Sequence, residues 1–152
     1  MKTIAKLLMA IIMIALPAVA MAQAAEKVPF TLAKNYFLKN DAQLAQKKIT
    51  SQKDFDRYFG AAAVMGKDGM PTKIDFTKQF VIAIAGQPTN HHTTYEVTGI
   101  TVEDGMLDVA YTATIGKEAM SYYMKPLVLV VLDINYARMS VTYSGTIYDE
   151  TK

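Results

Sequence analysis

Residues 95–109 read YEVTGITVEDGMLDV, and the fold prediction for the whole chain starts from this stretch. The Asp-Gly pair at 104–105 is a strong signal for a two-residue hairpin turn between strands of alternating apolar residues. Such a turn places four apolar side chains on one face of the hairpin. They form two cross-strand pairs, Val102 with Leu107 and Ile100 with Val109.

The apolar positions change parity within the first of these strands. Tyr95 and Val97 are odd-numbered, whereas Ile100 and Val102 are even-numbered. A shift of one residue turns the side chains of a strand to the opposite face. We predict a β-bulge at Gly99, because one extra residue there returns Tyr95 and Val97 to the core side.

Further strands are predicted on both sides of this hairpin. Residues 80–85 (FVIAIA) form a nearly continuous apolar strand that we expect to be buried on both faces, and 127–132 (LVLVVL) read as a central strand. A polar loop at 86–94 and a second hairpin turn at 116–118 are expected between them. The remaining predicted strands are 30–38, 47–50 and 139–144.

One helix is predicted from Ser51. The Ser51 hydroxyl, with a carboxylate three residues on at Asp54, is a variant of the capping box. Aromatic residues follow at helical spacing from Phe55 to Phe59, so one face of the helix can pack on a sheet. Gly60 is expected to end the helix in the left-handed conformation.

These elements predict an α+β fold that is mainly β. The expected architecture is an antiparallel sheet curled into a small barrel or sandwich, with one short helix packed against it. The domain prediction is a secretory signal peptide at 1–22, a mobile leader at 23–29 and a single β-rich domain at 30–152.

The signal peptide is predicted from the first 22 residues. Lys2 and Lys6 precede an apolar run at 7–16, which is followed by small residues at 18–22 (AVAMA). Cleavage after Ala22 would remove 22 of the 152 residues and leave 130. The chain contains no cysteine, which excludes a lipid anchor on a first mature cysteine. We therefore expect an exported protein, periplasmic or extracellular, without a membrane anchor.

Charge and motifs exclude several classes of function. Two of the 16 basic residues lie in the predicted signal peptide, which leaves 14 against 14 acidic residues, and this balance argues against nucleic-acid binding. No Gly-x-Ser-x-Gly motif is present, and we predict no catalytic residue, no cofactor and no metal. His91 and His92 are adjacent, so in an extended chain they point in opposite directions and do not share a metal easily.

The candidate partner-binding residues lie in the predicted loop at 87–94 and the predicted turn at 116–118. Two interpretations of the histidines are open: solvated loop residues, or recognition residues on an exposed loop. Tyr122 and Tyr123 are expected to present one ring to each face, with one ring in the core and the other available for contact. The predicted partner-binding residues are Gln87, Asn90, His91, His92, Lys117 and Tyr123.

Two segments carry a family resemblance. Residues 55–60 (FDRYFG) and 74–82 (IDFTKQFVI) resemble the small exported bacterial proteins of the protease-complex-subunit (PrcB-like) type. The resemblance covers roughly residues 48–133 and implies a compact β-rich domain that associates with, or restrains, secreted proteases. It implies no catalytic residue. The chain departs from the family at 87–92 (QPTNHH), where the family is glycine-rich.

The leading functional prediction is thus a monomeric, non-enzymatic binding domain. Its expected partner is another exported protein, with a protease that it inhibits or helps to mature as one possibility. The alternative prediction is a carrier of a small apolar or lipid-like ligand in a barrel interior.

Overall fold

The computed structural model describes residues 24–152. The predicted signal peptide at 1–22 therefore lies outside the described residues. Ten strands and two short helical segments follow along the described chain: β1 (Glu26–Lys27), β2 (Thr31–Ala33), β3 (Tyr36–Leu38), β4 (Gln46–Ile49), α1 (Gln52–Tyr58), β5 (Phe59–Ala61), β6 (Gln79–Ala85), β7 (Thr89–Glu103), β8 (Met106–Met124), β9 (Leu127–Asp133), a 3-10 helix (Ile134–Tyr136) and β10 (Ser140–Asp149).

The strands form a sandwich of two four-stranded sheets. The first sheet has the order β1-β7-β8-β10, the second has the order β2-β9-β6-β4, and β3 pairs with β5 in a small separate ribbon. All pairings are antiparallel except that of β10 with β8, which is parallel. The predicted fold class is confirmed, and of the two architectures the sheets form a sandwich instead of a closed barrel.

The second sheet is the middle layer, and its two central strands are buried on both faces as predicted. Side chains on one face of β6 and β9, including Phe80, pack against the first sheet. Side chains on the opposite face, including Val81, pack against Phe55 of α1 and the β3-β5 ribbon. This arrangement explains why β6 and β9 are continuously apolar and do not alternate.

Helix α1 begins as predicted but ends differently. The backbone N–H of Asp54 donates to Ser51 Oγ at 3.2 Å, and Phe55 is buried, with its ring centroid 5.0 Å from that of Tyr36. The prediction for Gly60 is wrong. Phe59 is already extended, with φ of −118°, and Gly60 belongs to β5, where the Phe37 ring occupies the space that a Cβ would take. A side chain at this position would displace the Phe37 ring.

The central hairpin forms as predicted. Asp104 and Gly105 have positive φ angles of 49° and 75°, the conformation of a type I′ turn. The predicted cross-strand pairs are both present. The bulge is also confirmed, because the register shifts between Val97 and Gly99.

Two predictions near the N-terminus need correction. The predicted strand at 30–38 is divided into β2 and β3, because Asn35 between them adopts a positive φ of 62°. Part of the predicted mobile leader at 23–29 belongs to the folded domain. Strand β1 pairs with β7, and Val28 is buried in the core between the sheets. Burial of the Val28 side chain stabilises this docking.

No helix among residues 24–152 is long and apolar enough to span a membrane.

Alkaline pH is expected to destabilise the fold through its partly buried tyrosines. Burial, with a smaller contribution from nearby Tyr111, raises the pKa of Tyr95 and of Tyr143 above the ordinary value of 10.0. The folded state then holds the phenol protons more tightly than the unfolded state, so this stability is fully present below pH 10.0 and is lost as the pH rises through the raised pKa values. Urea unfolding of the Tyr143→Phe variant should show a weaker pH dependence above pH 10 than the wild type. An identical dependence would contradict this cause.

Candidate functional site

The far end of the β7–β8 ribbon carries an irregular, exposed surface. Thr93 pairs with Ile115 and Thr89 pairs with Met124. Three residues of β7 therefore lie opposite eight residues of β8, which leaves five extra residues in β8. Extra residues on one strand of a pair are displaced outward from the ladder. We call this region, residues 89–93 and 115–124, the bulged end.

The predicted loop at 87–94 is wrong over most of its length. Strand β7 begins at Thr89, so only 86–88 connect it to β6, and Gln87 is exposed in that connection. The polar residues that suggested a loop are bonded within the ribbon. The Thr93 hydroxyl donates to the His91 carbonyl at 3.0 Å, and His91 Nδ1 lies 3.0 Å from the Gly116 carbonyl oxygen.

The predicted turn at 116–118 is also wrong. Strand β8 continues through these residues, which bulge outward opposite His92. Gly116 lies so close to the His92 backbone that an added Cβ would be 3.2 Å from its carbonyl oxygen. Glycine and polar residues are typical of turns, but at 116–118 they form a bulge within a continuing strand. Lys117 is exposed on this bulge.

The structure nevertheless brings most of the predicted partner-binding residues together. His92 is exposed, Asn90 and His91 are half-buried, and Lys117 lies on the facing bulge. Tyr123 belongs to the second bulge of the same ribbon. Gln87 lies just outside the bulged end, where it lines a shallow cleft together with Lys125.

The prediction that one of the two adjacent tyrosines lies in the core is wrong. Tyr122 is 61% exposed and Tyr123 is 73% exposed, so neither ring enters the core. Within the described residues, neither core cluster includes any residue from 115–124, so this part of β8 has no core side for one ring to enter. In addition, β8 places four residues, 120–123, opposite the single residue Asn90. Regular alternation requires a regular ladder, and the ladder is interrupted here.

Two further exposed surfaces were not foreseen from the sequence. Strand β10 extends five residues beyond its predicted end at 144, with Ile147 and Tyr148 exposed. In the connection between β5 and β6, Val64, Met65 and Met70 are also exposed. We call residues 62–73 of that connection the apolar loop. A signal for the first surface was available, since Thr146, Ile147 and Tyr148, all residues that favour strands, follow Gly145.

The apolar loop has a defined base. The side-chain amide of Asn35 donates to the carbonyl oxygens of Asp68 and Met70 at 2.8 and 3.0 Å. The Val64 N–H donates to the Gly69 carbonyl at 2.9 Å. This loop is therefore the main competitor of the bulged end as a contact surface.

The chemistry available at the bulged end is that of contact. It offers phenol and imidazole side chains, an ammonium group and two strands of backbone. Among residues 24–152, no three or more histidine, aspartate or glutamate side chains are grouped so that they could hold a metal ion. The His91 ring is engaged by a backbone carbonyl instead of a carboxylate or a hydroxyl.

Lys125 fixes the bulged end to the body of the domain. Its Nζ donates to the carbonyl oxygens of Lys39, Asn40 and Ala42 at 3.0, 2.9 and 3.3 Å. One ammonium group thus connects the end of β8 to the segment between β3 and β4. Because each N–H of the group can donate one bond, all three of its donors are used.

Replacing Lys125 by methionine is expected to destabilise the domain by about 1.5–3 kcal/mol, since hydrogen bonds to a charged group are lost. The matched control is Lys117→Met, which removes an exposed lysine and should change stability by less than about 0.5 kcal/mol. The free energy of unfolding from urea titration measures both variants. Equal stability of the two variants would contradict the anchoring role of Lys125.

Comparison with known proteins adds no assignment: the sequence matches no protein-family model, no curated protein and no solved structure.

Proposed function

We propose that this protein is an exported, non-enzymatic binding domain that engages another exported protein through the bulged end. The observation that carries the proposal is the simultaneous exposure of Tyr122 and Tyr123 at the same end of the ribbon as His92 and Lys117. Tyrosine is favoured at protein interfaces because its rigid amphipathic ring provides contact area and a hydrogen-bonding hydroxyl at a small cost in entropy.

The support of the bulged end favours binding. The Lys125 contacts hold it to the body of the domain, to the segment between β3 and β4. A surface that is already ordered loses less conformational entropy when a partner docks. The bulges make this surface uneven, whereas a regular ladder presents a flat surface.

The proposed partner is a secreted protease whose activity the domain restrains. This part of the proposal rests on the family resemblance and on the predicted signal peptide. Restraint requires no reactive group, because a rigid projection that occupies a cleft excludes substrate. The carrier hypothesis has less support, since the space between the two sheets is filled by the side chains of the core.

The test is capture of a partner from the exported proteins of the native host. The bait is the tagged chain, expressed with its own N-terminal segment. The captured protein is then purified, and its proteolytic activity is measured with increasing amounts of the wild-type domain. We expect activity to fall until the two proteins are equimolar. Full proteolytic activity of the saturated complex would reject restraint, and failure to capture any exported protein would reject the binding function.

A further inference from the structure

Strand β10 presents a long free edge without register shifts among the sheets of residues 24–152. It is ten residues long and forms the border of the first sheet. The other border strands are short: β1 has two residues, β2 has three, and β4 has four, of which Lys47 and Lys48 are charged. The part of β7 beyond β1 is interrupted by three register shifts.

Short length, charged residues and bulges are the usual means by which proteins prevent pairing at sheet edges. Strand β10 has none of them from Ser140 to Tyr148, where the sequence SVTYSGTIY contains no charge and no proline. The edge is therefore open to strand addition.

The ladder with β8 determines which backbone groups are free. Asp149 lies opposite Ile115, and the Glu150 N–H donates to the Ile115 carbonyl at 3.0 Å. In a parallel ladder this bond turns the backbone groups of even-numbered residues of β10 toward β8. The N–H and C=O groups of the odd-numbered residues point to the free edge: Val141, Tyr143, Gly145 and Ile147.

We propose that this edge pairs with β10 of a second copy of the chain, in antiparallel orientation about a two-fold axis at Ser144. The register places Val141 opposite Ile147 of the second copy and Tyr143 opposite Gly145. Each of these pairs exchanges two hydrogen bonds, because both members have outward-facing backbone groups. The two first sheets become one continuous eight-stranded sheet.

We choose a second copy of the chain as the partner because the free edge of β10 is complementary to itself. A two-fold interface brings the same surface into contact with itself, so it tolerates no unbalanced charge. Nine uncharged residues meet this condition. Beyond them, Arg138 precedes the strand and Glu150 follows it, so the antiparallel orientation brings residues of opposite charge to each end of the pairing. Ile147, which is 68% exposed in the single chain, gains an apolar neighbour.

Dimerisation contrasts with the monomer predicted from the sequence, where the strand was expected to end at Ser144. It is also independent of the proposed function, because β10 lies outside the bulged end.

The test compares Ile147→Pro with Ile147→Ala in the full chain. Proline at 147 removes an N–H that faces the free edge and that no bond in the single chain uses, whereas alanine keeps it. Light scattering after gel filtration should give twice the chain mass for the wild type and Ile147→Ala, and the chain mass for Ile147→Pro. Ile147→Lys, which places a charge opposite Val141, should also be monomeric and provides the second variant if the proline variant does not fold.

A wild type that stays monomeric up to its solubility limit would overturn the proposal, as would a folded Ile147→Pro variant that remains dimeric. Capture of a partner by the monomeric variants distinguishes the two proposals, since the bulged end is intact in them.

Discussion

Replacing Tyr122 and Tyr123 together by serine is expected to weaken binding of the captured partner by at least about 30-fold, the effect of losing about 2 kcal/mol at an interface hot spot. Both rings are largely exposed in the single chain, so the fold does not depend on them. A complex buries them, and their loss then removes apolar area and hydroxyl donors from the interface. Calorimetric titration of the purified partner measures the change.

The matched control for this pair is Tyr148→Ser. Tyr148 is 58% exposed on β10, so its replacement changes a comparable ring outside the bulged end. We expect the affinity of this variant to equal that of the wild type. If Tyr148→Ser lowers the affinity as much as the double substitution does, the interface is misplaced.

Replacing Phe80 by alanine is expected to destabilise the domain by about 3–5 kcal/mol, the cost of a large cavity in a core. Phe80 is fully buried where the second sheet faces the first. Ordinary domains are stable by about 5–15 kcal/mol in total, so the variant should be partly unfolded at moderate temperature. The free energy of unfolding from guanidinium titration gives the measurement.

Phe37→Ala serves as the control for this substitution. The Phe37 ring is 49% exposed and lies over Gly60 at the surface. Its loss leaves a surface depression, not an enclosed cavity, and should cost less than half as much as the loss of Phe80. Comparable costs at the two positions would contradict the assignment of Phe80 to the central core.

The elements that could be predicted from the sequence are those with local or strongly apolar signals. The turn at 104–105 requires positive φ at both residues, and the adjacent pair Asp104-Gly105 is one that adopts this conformation readily. The bulge in β7 could be predicted because the parity change of its apolar residues is also a local signal. Strands β6 and β9 could be assigned because each is a run of consecutive apolar residues rich in β-branched side chains, which is typical of a buried strand.

The candidate site could be predicted only in part, because its geometry depends on non-local pairing. Asn90, His91 and Lys117 were selected for polar composition, and the structure does bring them to one end of the ribbon. The composition could not show that 116–118 bulge within a continuing strand, since glycine and polar residues are common to turns and bulges. The exposure of both Tyr122 and Tyr123 was missed because the sequence did not show that this end of β8 lies outside both core clusters.

Local signals were also overridden at Gly60. A glycine after an aromatic helical stripe is typical of a helix end, yet the chain enters β5 one residue earlier and pairs with β3. The partner strand lies more than 20 residues away in sequence. Pairing between strands so far apart in sequence could not be predicted from the residues that flank Gly60.

The most direct test of the account is amide hydrogen exchange on the full chain, alone and in complex with its captured partner. We predict slower exchange on binding in residues 89–93 and 115–124, with no change in the apolar loop at 62–73. Protection of 62–73 with unchanged exchange at the bulged end would contradict the central claim.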